Sequence, residues 1–360
     1  MECSDFPGSE QPLVPGKEVS WPGEDFPMGS SIGLGIDVGG TNTDAVLVDL
    51  QERNVLSIAK APTTKEDLAR GIRNAMTRLD QILLSRSSLI SLSTTLATNS
   101  VVEGVRRKVR GFLIGYGAEL CPDRFREEVF LIPGGHNVLG DEKAPLDLDR
   151  VRTILERTKN EIEAYAVCGY FSVRNPDHEL QVKHLIEEMT GKPVVCGHEI
   201  SFRLDAVKRA TTTLLNGHLI PIIHDLIKSV RRAFKEHQIV APLMIVKGDG
   251  SLMSESAIKD HPIETILSGP AASVMGAKYL LGLSGEVQNA MVVDIGGTTT
   301  DIAQLKGGTP RLNSEGAKVG NWQTNIMAID IRTIGLGGDS QIDLDDQGSL
   351  RVGPRRIIPL

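Results

Sequence analysis

The chain has 360 residues, 40% hydrophobic and 24% charged, an ordinary globular composition with room for two domains. A formal net charge of −7 argues against general affinity for nucleic acid or an anionic membrane, and no apolar run is long enough to span a bilayer. Cys3, Cys121, Cys168 and Cys196 form no CxxC pair and follow no secretory leader, so the expectation is a reduced, cytoplasmic setting without disulfides.

Residues 1–30 are rich in Pro, Gly, Ser and acid without helical or strand periodicity, which predicts a disordered N-terminal arm. From Ile32 the runs "IGLGIDV", "DAVLVDL" and "NVLSIAKA" predict an antiparallel meander. Leu68, Ile72, Met76, Leu79 and Leu83 recur at helical steps and predict one amphipathic helix over Lys65 to Leu84. A strand near Leu89 to Leu92, a polar turn "STTLATN" and a strand over Arg110 to Tyr116 follow. The basic cluster Arg106, Arg107, Lys108 and Arg110 reads as a solvated turn or helix end.

The middle of the chain predicts helices over Leu148 to Ala164, Asp177 to Met189 and Leu204 to Phe234, with "YAVCGYF" and "PVVCG" as buried strands. Gly217 and Pro221 predict a kink or a division of the third helix. Cys168 and Cys196 fall in these apolar runs and are expected to be buried, inert thiols. His136 with Asp141 and Glu142, or His178 with Glu179, has no second ligand at a zinc spacing; "NPDHE" reads instead as a helix start capped by Asn175 or Asp177. "PLMIVKGDGSLM" is a strand ending in a Gly turn, and "ETILSGPAASVMGAKYLLG" a turn into a helix of small residues.

"DVGGTNTD", from Asp37 to Asp44, recurs as "DIGGTTTD", from Asp294 to Asp301, 294 − 37 = 257 positions later. In each copy a strand delivers an Asp, two glycines allow close backbone approach to a phosphate, and Thr hydroxyls add donors. A carboxylate beside a polyphosphate needs a divalent cation between them, which makes Asp37 and Asp294 candidate metal organisers. One such turn alone reads equally as a hairpin closure; two in one chain point to the halves of a clamp. Asp44 and Asp301 on the outgoing strands are equally suited to backbone support or direct contact. Thr94, Thr95, Thr98 and Asn99 form a hydroxyl and amide set that suits substrate or phosphate, or a helix cap.

Paired DxGGT turns resemble the phosphate loops of the acetate kinase, heat-shock chaperone and actin ATPase superfamily, and "SGPAAS" at Ser268 to Ser273 resembles its interdomain hinge helix. In addition, "TTLATN", "NPDHE", "TTTLLNGHLIP", "ETILSGPAASVMGA" and "TIGLGGDS" are similar, in order, to the hydantoinase A and 5-oxoprolinase family over about Ile32 to Pro354. The resemblance implies an α/β fold of duplicated ribonuclease H-like, actin-like ATPase domains with mixed sheets. Residues 31–203 would carry the first phosphate loop and 204–360 the second, in a domain that looks truncated.

It also implies ATP, Mg²⁺ or another divalent cation, and the opening of a small cyclic amide of the hydantoin or 5-oxoproline type by phosphorylation of its carbonyl oxygen. Gly39, Gly40, Thr41 and Thr43 would cradle one side of the polyphosphate and Gly296, Gly297, Thr298 and Thr300 the other. Asp37 and Asp294 would hold the metal, with Asp294 also orienting the attacking group, and Thr94, Thr95 and Asn99 would face the chemistry. A second hydantoinase-type subunit or a homo-oligomer is implied as partner, with no nucleic acid and no membrane. The alternatives are a small-molecule kinase of the same superfamily and a non-catalytic nucleotide-binding subunit. Leu92 and Ser93 stand where many members carry His-Gly, and "GLGGDS" from Gly335 reads as a nucleotide contact or as a turn between strands.

Overall fold

Period-two burial builds the first sheet: Ile32, Leu34, Ile36 and Val38 are buried along β1 (Ile32–Val38), and Thr43, Ala45 and Leu47 along β2 (Asn42–Asp49). With β3 (Val55–Pro62) they form the expected antiparallel meander. The computed structural model describes residues 31–64, 67–122, 125–283, 288–297 and 299–357; the expected N-terminal arm and Thr298 lie outside them.

The helix expected over Lys65 to Leu84 is divided into α1 (Leu68–Thr77) and α2 (Gln81–Leu84). Asp80 is extended, and its carboxylate accepts from the backbone N–H of Ile82 and Leu83, so a new N-cap interrupts an otherwise continuous apolar stripe. β4 (Ser87–Thr94) then runs parallel to β1 and leads into α3 (Leu96–Glu103).

Next, β5 (Val109–Ile114), β6 (Val129–Ile132), α4 (Leu148–Thr158), β7 (Ala164–Gly169), α5 (Asp177–Thr190) and β8 (Val194–Cys196) form a separate parallel sheet of order β6-β5-β7-β8 with its crossover helices. Every residue of β7 and β8 is buried, as expected for strands covered on both faces. After α6 (Gly197–Ile200), α7 (Ala206–Glu236) is a single helix of 31 residues that continues through Pro221. The division suggested by Gly217 and Pro221 does not occur. Leu214, Leu215, Leu219 and Ile220 are buried in one cluster and Ile223, Leu226, Ile227 and Val230 in another; this double burial outweighs the missing proline N–H.

β9 (Leu243–Val246) pairs in parallel with β4 and β10 (Leu252–Ser254) lies beside it, giving a mixed six-stranded sheet of order β10-β9-β4-β1-β2-β3. These strands and α7 follow the expected division at 203/204 yet pack with the first sheet, so that division is not one of packing. α8 (Glu255–Asp260) precedes α9 (Ser268–Leu283), which contacts β4 and β9 on one side and β11 (Asn289–Ile295) and β12 (Thr300–Lys306) on the other.

β13 (Thr309–Pro310) also pairs with β12. The short strands β14 (Leu312–Asn313), β15 (Lys318–Val319), β16 (Trp322–Gln323) and β17 (Ala328–Ile329) form two small ladders, β14 with β17 and β15 with β16. β18 (Ile331–Ile334) returns to β12, and β19 (Ser340–Leu344) with β20 (Leu350–Arg356) makes a final hairpin. Thus β18-β12-β11 repeats the antiparallel meander β3-β2-β1. Among the described residues β11 has a strand on one edge only, whereas β1 is flanked on both.

Candidate functional site

The two Gly-rich turns are built alike. In the first, Asp37 opposes Asp44 and Val38 opposes Thr43, and the Gly39 N–H donates to the Asn42 carbonyl at 3.0 Å. In the second, Asp294 opposes Asp301 and Ile295 opposes Thr300, and the Gly296 N–H donates to the Thr299 carbonyl at 2.9 Å. A Cβ on Gly39 would lie 2.9 Å from the Asn42 carbonyl oxygen, so the turn admits no side chain there.

Both turns line one cleft of 880 Å³, shared by Asp37, Gly39, Gly40, Thr41, Thr95, Asn99, Asp294, Gly296, Gly297 and Thr299. Lys60, which the motif reading missed, also lines it and pairs with Asp44 at 3.0 Å. Its signal was weak, since a lysine in a strand two residues before a Pro-Thr pair has no motif.

Burial raises the Asp37 carboxyl above its ordinary range; the Ser93 hydrogen bond opposes this, and the charges of Asp44 and Asp294 add to it. Ser93 Oγ donates to Asp37 Oδ1 at 2.6 Å, because the two residues are register partners on parallel strands. The position where the family pattern has His-Gly therefore places a hydroxyl on the first aspartate. Burial also raises Asp301, opposed by a 2.5 Å hydrogen bond from Thr333 and reinforced by Asp294. A set of oxygen donors under mutual repulsion and short of countercharge is chemically suited to a hard divalent cation. In that respect Asp37 and Asp294 fit one.

Several expected contacts are committed elsewhere. Thr43 is fully buried and hydrogen-bonded to Thr63 at 2.9 Å, and Thr300 Oγ1 donates to the Leu336 carbonyl at 2.7 Å, so neither hydroxyl faces the cleft. Both fall on the core side of their strands by the period-two rule. Thr94 Oγ1 accepts from the Leu96 N–H in a turn just before α3, and Thr98 Oγ1 accepts from the Leu267 N–H. Thr95 and Asn99 remain on the cleft wall, one helical turn apart and 3.3 Å from each other.

α9 closes the floor. Ser268 Oγ donates to the Thr94 carbonyl at 2.8 Å, and a Cβ on Gly269 would lie 3.2 Å from Thr95 and 3.7 Å from Asp37. Leu267, immediately before it, holds φ of 62°, a left-handed conformation costly for a side-chain-bearing residue. "GLGGDS" braces the second turn and does not line the cleft: the Gly338 N–H donates to Gly296 and the Asp339 N–H to Gly297, at 2.9 and 2.7 Å.

The remaining candidates are structural. His178 Nε2 meets Glu142 at 3.1 Å while its Nδ1 accepts from the Gly135 N–H; α5 starts after Pro176 without a side-chain cap, and Asn175 Oδ1 accepts from the Asp177 N–H in the turn before it. Donor atoms of Glu179, Cys196 and His198 lie within 4.8 Å of one another, a grouping without a sequence signature. Glu179 is already bonded by the Gly169 N–H and by His198, and burial pushes both thiols up, Cys168 to about 12. Within the basic cluster, Arg106 pairs with Glu128, and Arg107 with Glu163 and Asp225.

Comparison with known proteins assigns these parts. The Hydantoinase/oxoprolinase N-terminal region model matches residues 33–190 and the Hydantoinase/oxoprolinase model residues 209–357. The chain belongs to the hydantoinase/oxoprolinase family. Among relatives in this family, the caprolactamase subunit alpha of Pseudomonas jessenii is 28% identical over 89% of this chain and 50% of its own length. 5-Oxoprolinase 1 of Arabidopsis thaliana is 26% identical over 89% of the chain and 29% of its own length. The chain thus spans half or less of these hydantoinase/oxoprolinase relatives. A nucleotide-free acetone carboxylase structure matches the fold with a TM-score of 0.74 at 24% identity, over 91% of this chain and 51% of that one. The mixed sheet of order β10-β9-β4-β1-β2-β3 is consistent with the expected actin-like ATPase fold.

Proposed function

We propose that the chain is the nucleotide-binding portion of an enzyme that couples ATP to the opening of a small cyclic amide. The observation that carries this reading is the facing of two equivalent Asp-Gly-Gly turns across one cleft, bridged by α9. Gly39, Gly40 and Thr41 form one lip for the polyphosphate, and Gly296, Gly297 and Thr299 the other. Asp37 and Asp294 would hold a divalent cation that offsets phosphate charge, and Asp294 orients the attacking group.

A lactam carbonyl is a poor electrophile. Transfer of the terminal phosphoryl group to its oxygen releases ADP and activates the carbon toward water; cleavage of the C–N bond then opens the ring, and a second water frees the phosphate. In this scheme Ser93 fixes the Asp37 carboxylate, while Thr95 and Asn99 contact the reacting group and Thr94 holds the turn into α3. A second subunit belongs to the reading, since the caprolactamase relative is itself named as a subunit.

The test is phosphate release from ATP with hydantoin, 5-oxoproline or 2-pyrrolidinone, by wild type and Asp294→Ala. Release that requires the ring and falls at least a hundredfold in the variant is expected, the scale of losing one charged transition-state group (about 10²–10³). Transfer of phosphate to a hydroxyl compound instead would place the protein with small-molecule kinases.

A further inference from the structure

A cavity of 240 Å³ opens off the large cleft where α3 begins, and the two share Gly39, Gly40, Thr95 and Asn99. Apolar wall is added by Leu96 at the start of α3, Val105 just after its end and Ile222 of α7. Leu96, Asn99 and Glu103 follow one another at steps of three and four, so one face of α3 turns to this space. Leu96 and Ile222 are half-buried and Val105 is 45% exposed, so the apolar surface is open to a ligand. The volume lies below the range for drug-sized ligands, about 300–1,000 Å³, and suits a small ring.

Asn99 stands where this cavity meets the clamp. A Cβ on Gly40 would lie 3.7 Å from Asn99 Nδ2, which places the carboxamide against the first Gly-rich turn. Nδ2 donates to Thr95 Oγ1 at 3.3 Å, which uses one of its two N–H groups. Among the described residues nothing else bonds this side chain, so the second N–H and the Oδ1 acceptor are left for a ligand. A donor and an acceptor on one planar group are the complement of an amide whose own N–H and C=O share an edge. A small lactam is such an amide, because the ring locks its C–N bond cis; in an open-chain amide the bond is trans and the two groups point apart. A carboxamide therefore pairs with a lactam through two hydrogen bonds and with a trans amide through one.

We propose that Asn99 selects the cyclic amide: its Nδ2–H donates to the lactam carbonyl, its Oδ1 accepts the lactam N–H, and the ring carbons rest on Leu96, Val105 and Ile222. This rests on the amide-opening reading and adds the feature that is selected, a cis N–H/C=O edge. The carbonyl lies at the end nearer the Gly-rich turn, as Nδ2 does. One lone pair of its oxygen accepts from Asn99, and the other is left to bond the terminal phosphorus as ADP departs.

The test is NMR titration of the full chain, with Mg²⁺ and a non-hydrolysable ATP analogue present, against three probes. These are 2-pyrrolidinone, γ-butyrolactone, which has the same ring with oxygen in place of N–H, and N-methylacetamide, an open-chain trans amide. The lactam should bind about tenfold more tightly than either other probe, and Asn99→Leu should erase that preference. Val105→Trp, at an exposed position on the cavity wall, fills the space while keeping the carboxamide and should abolish binding of both rings. Equal affinity for the lactam and either other probe, a preference that survives in Asn99→Leu, ring binding that survives Val105→Trp, or no lactam binding overturns the proposal. Ring-dependent phosphate release in any of those cases leaves the amide-opening reading standing, whereas lactam-selective binding through Asn99 without phosphate release defeats that reading alone.

Discussion

Asp37 is a residue whose native environment works against its charge. Burial comes first, and Asp44 and Asp294 add repulsion, so the folded chain holds the Asp37 proton more tightly than the unfolded chain does. The stabilisation from that proton is full below the unfolded value of 3.8 and is lost as pH rises through the higher folded value. Asp37→Asn should therefore stabilise the ligand-free protein near neutral pH by about 1 kcal/mol, read as a higher melting temperature, and leave it unchanged in acid. The same variant should lose the further rise that Mg²⁺-ATP gives wild type; a lower neutral-pH melting temperature would contradict the assignment. Cys168, held at about 12, should resist iodoacetamide until the chain unfolds, as mass mapping of alkylated peptides would report.

At the scale of elements, α7 is the spine on which both sheets pack, and Gly217 marks its closest approach. A Cβ there would sit 3.0 Å from Val109 and 3.5 Å from Ala166, both buried neighbours. Gly217→Val should cost about 1–3 kcal/mol by overpacking, read as a lower urea midpoint with an unchanged slope. The sequence made the strands, the meander and both Gly-rich turns legible, because period-two burial and glycine chemistry are local. It did not reveal the unbroken α7, since Pro221 is overridden by packing from strands far away in the chain, nor the break at Asp80, where a cap acts within an intact apolar stripe. In the candidate site, Asp37, Asp294 and the glycines were readable from the repeat. Ser93 was not, because its role follows from parallel pairing with β1, and Thr43 and Thr300 were misassigned because the motif does not say which strand face a hydroxyl takes.

For the whole molecule, the two meanders are equivalent but their settings differ. Met291, Val293 and Ile295 on β11 are exposed at 70%, 49% and 70%, and Tyr279 and Leu280 of α9 are also exposed. Paired apolar exposure along a strand with one open edge favours self-association. Met291→Lys with Val293→Lys should raise the concentration at which light scattering detects aggregates, without lowering the melting temperature. The central claim, that the two turns form one nucleotide clamp, is tested most directly by calorimetry of Mg²⁺-ATP binding to wild type, Gly39→Val and Gly296→Val. A Cβ at these positions meets the opposite carbonyl of its own turn at 2.9 and 3.3 Å. The account predicts binding by wild type and its loss in each variant alone; binding that survives either substitution, or is absent from wild type, would contradict it.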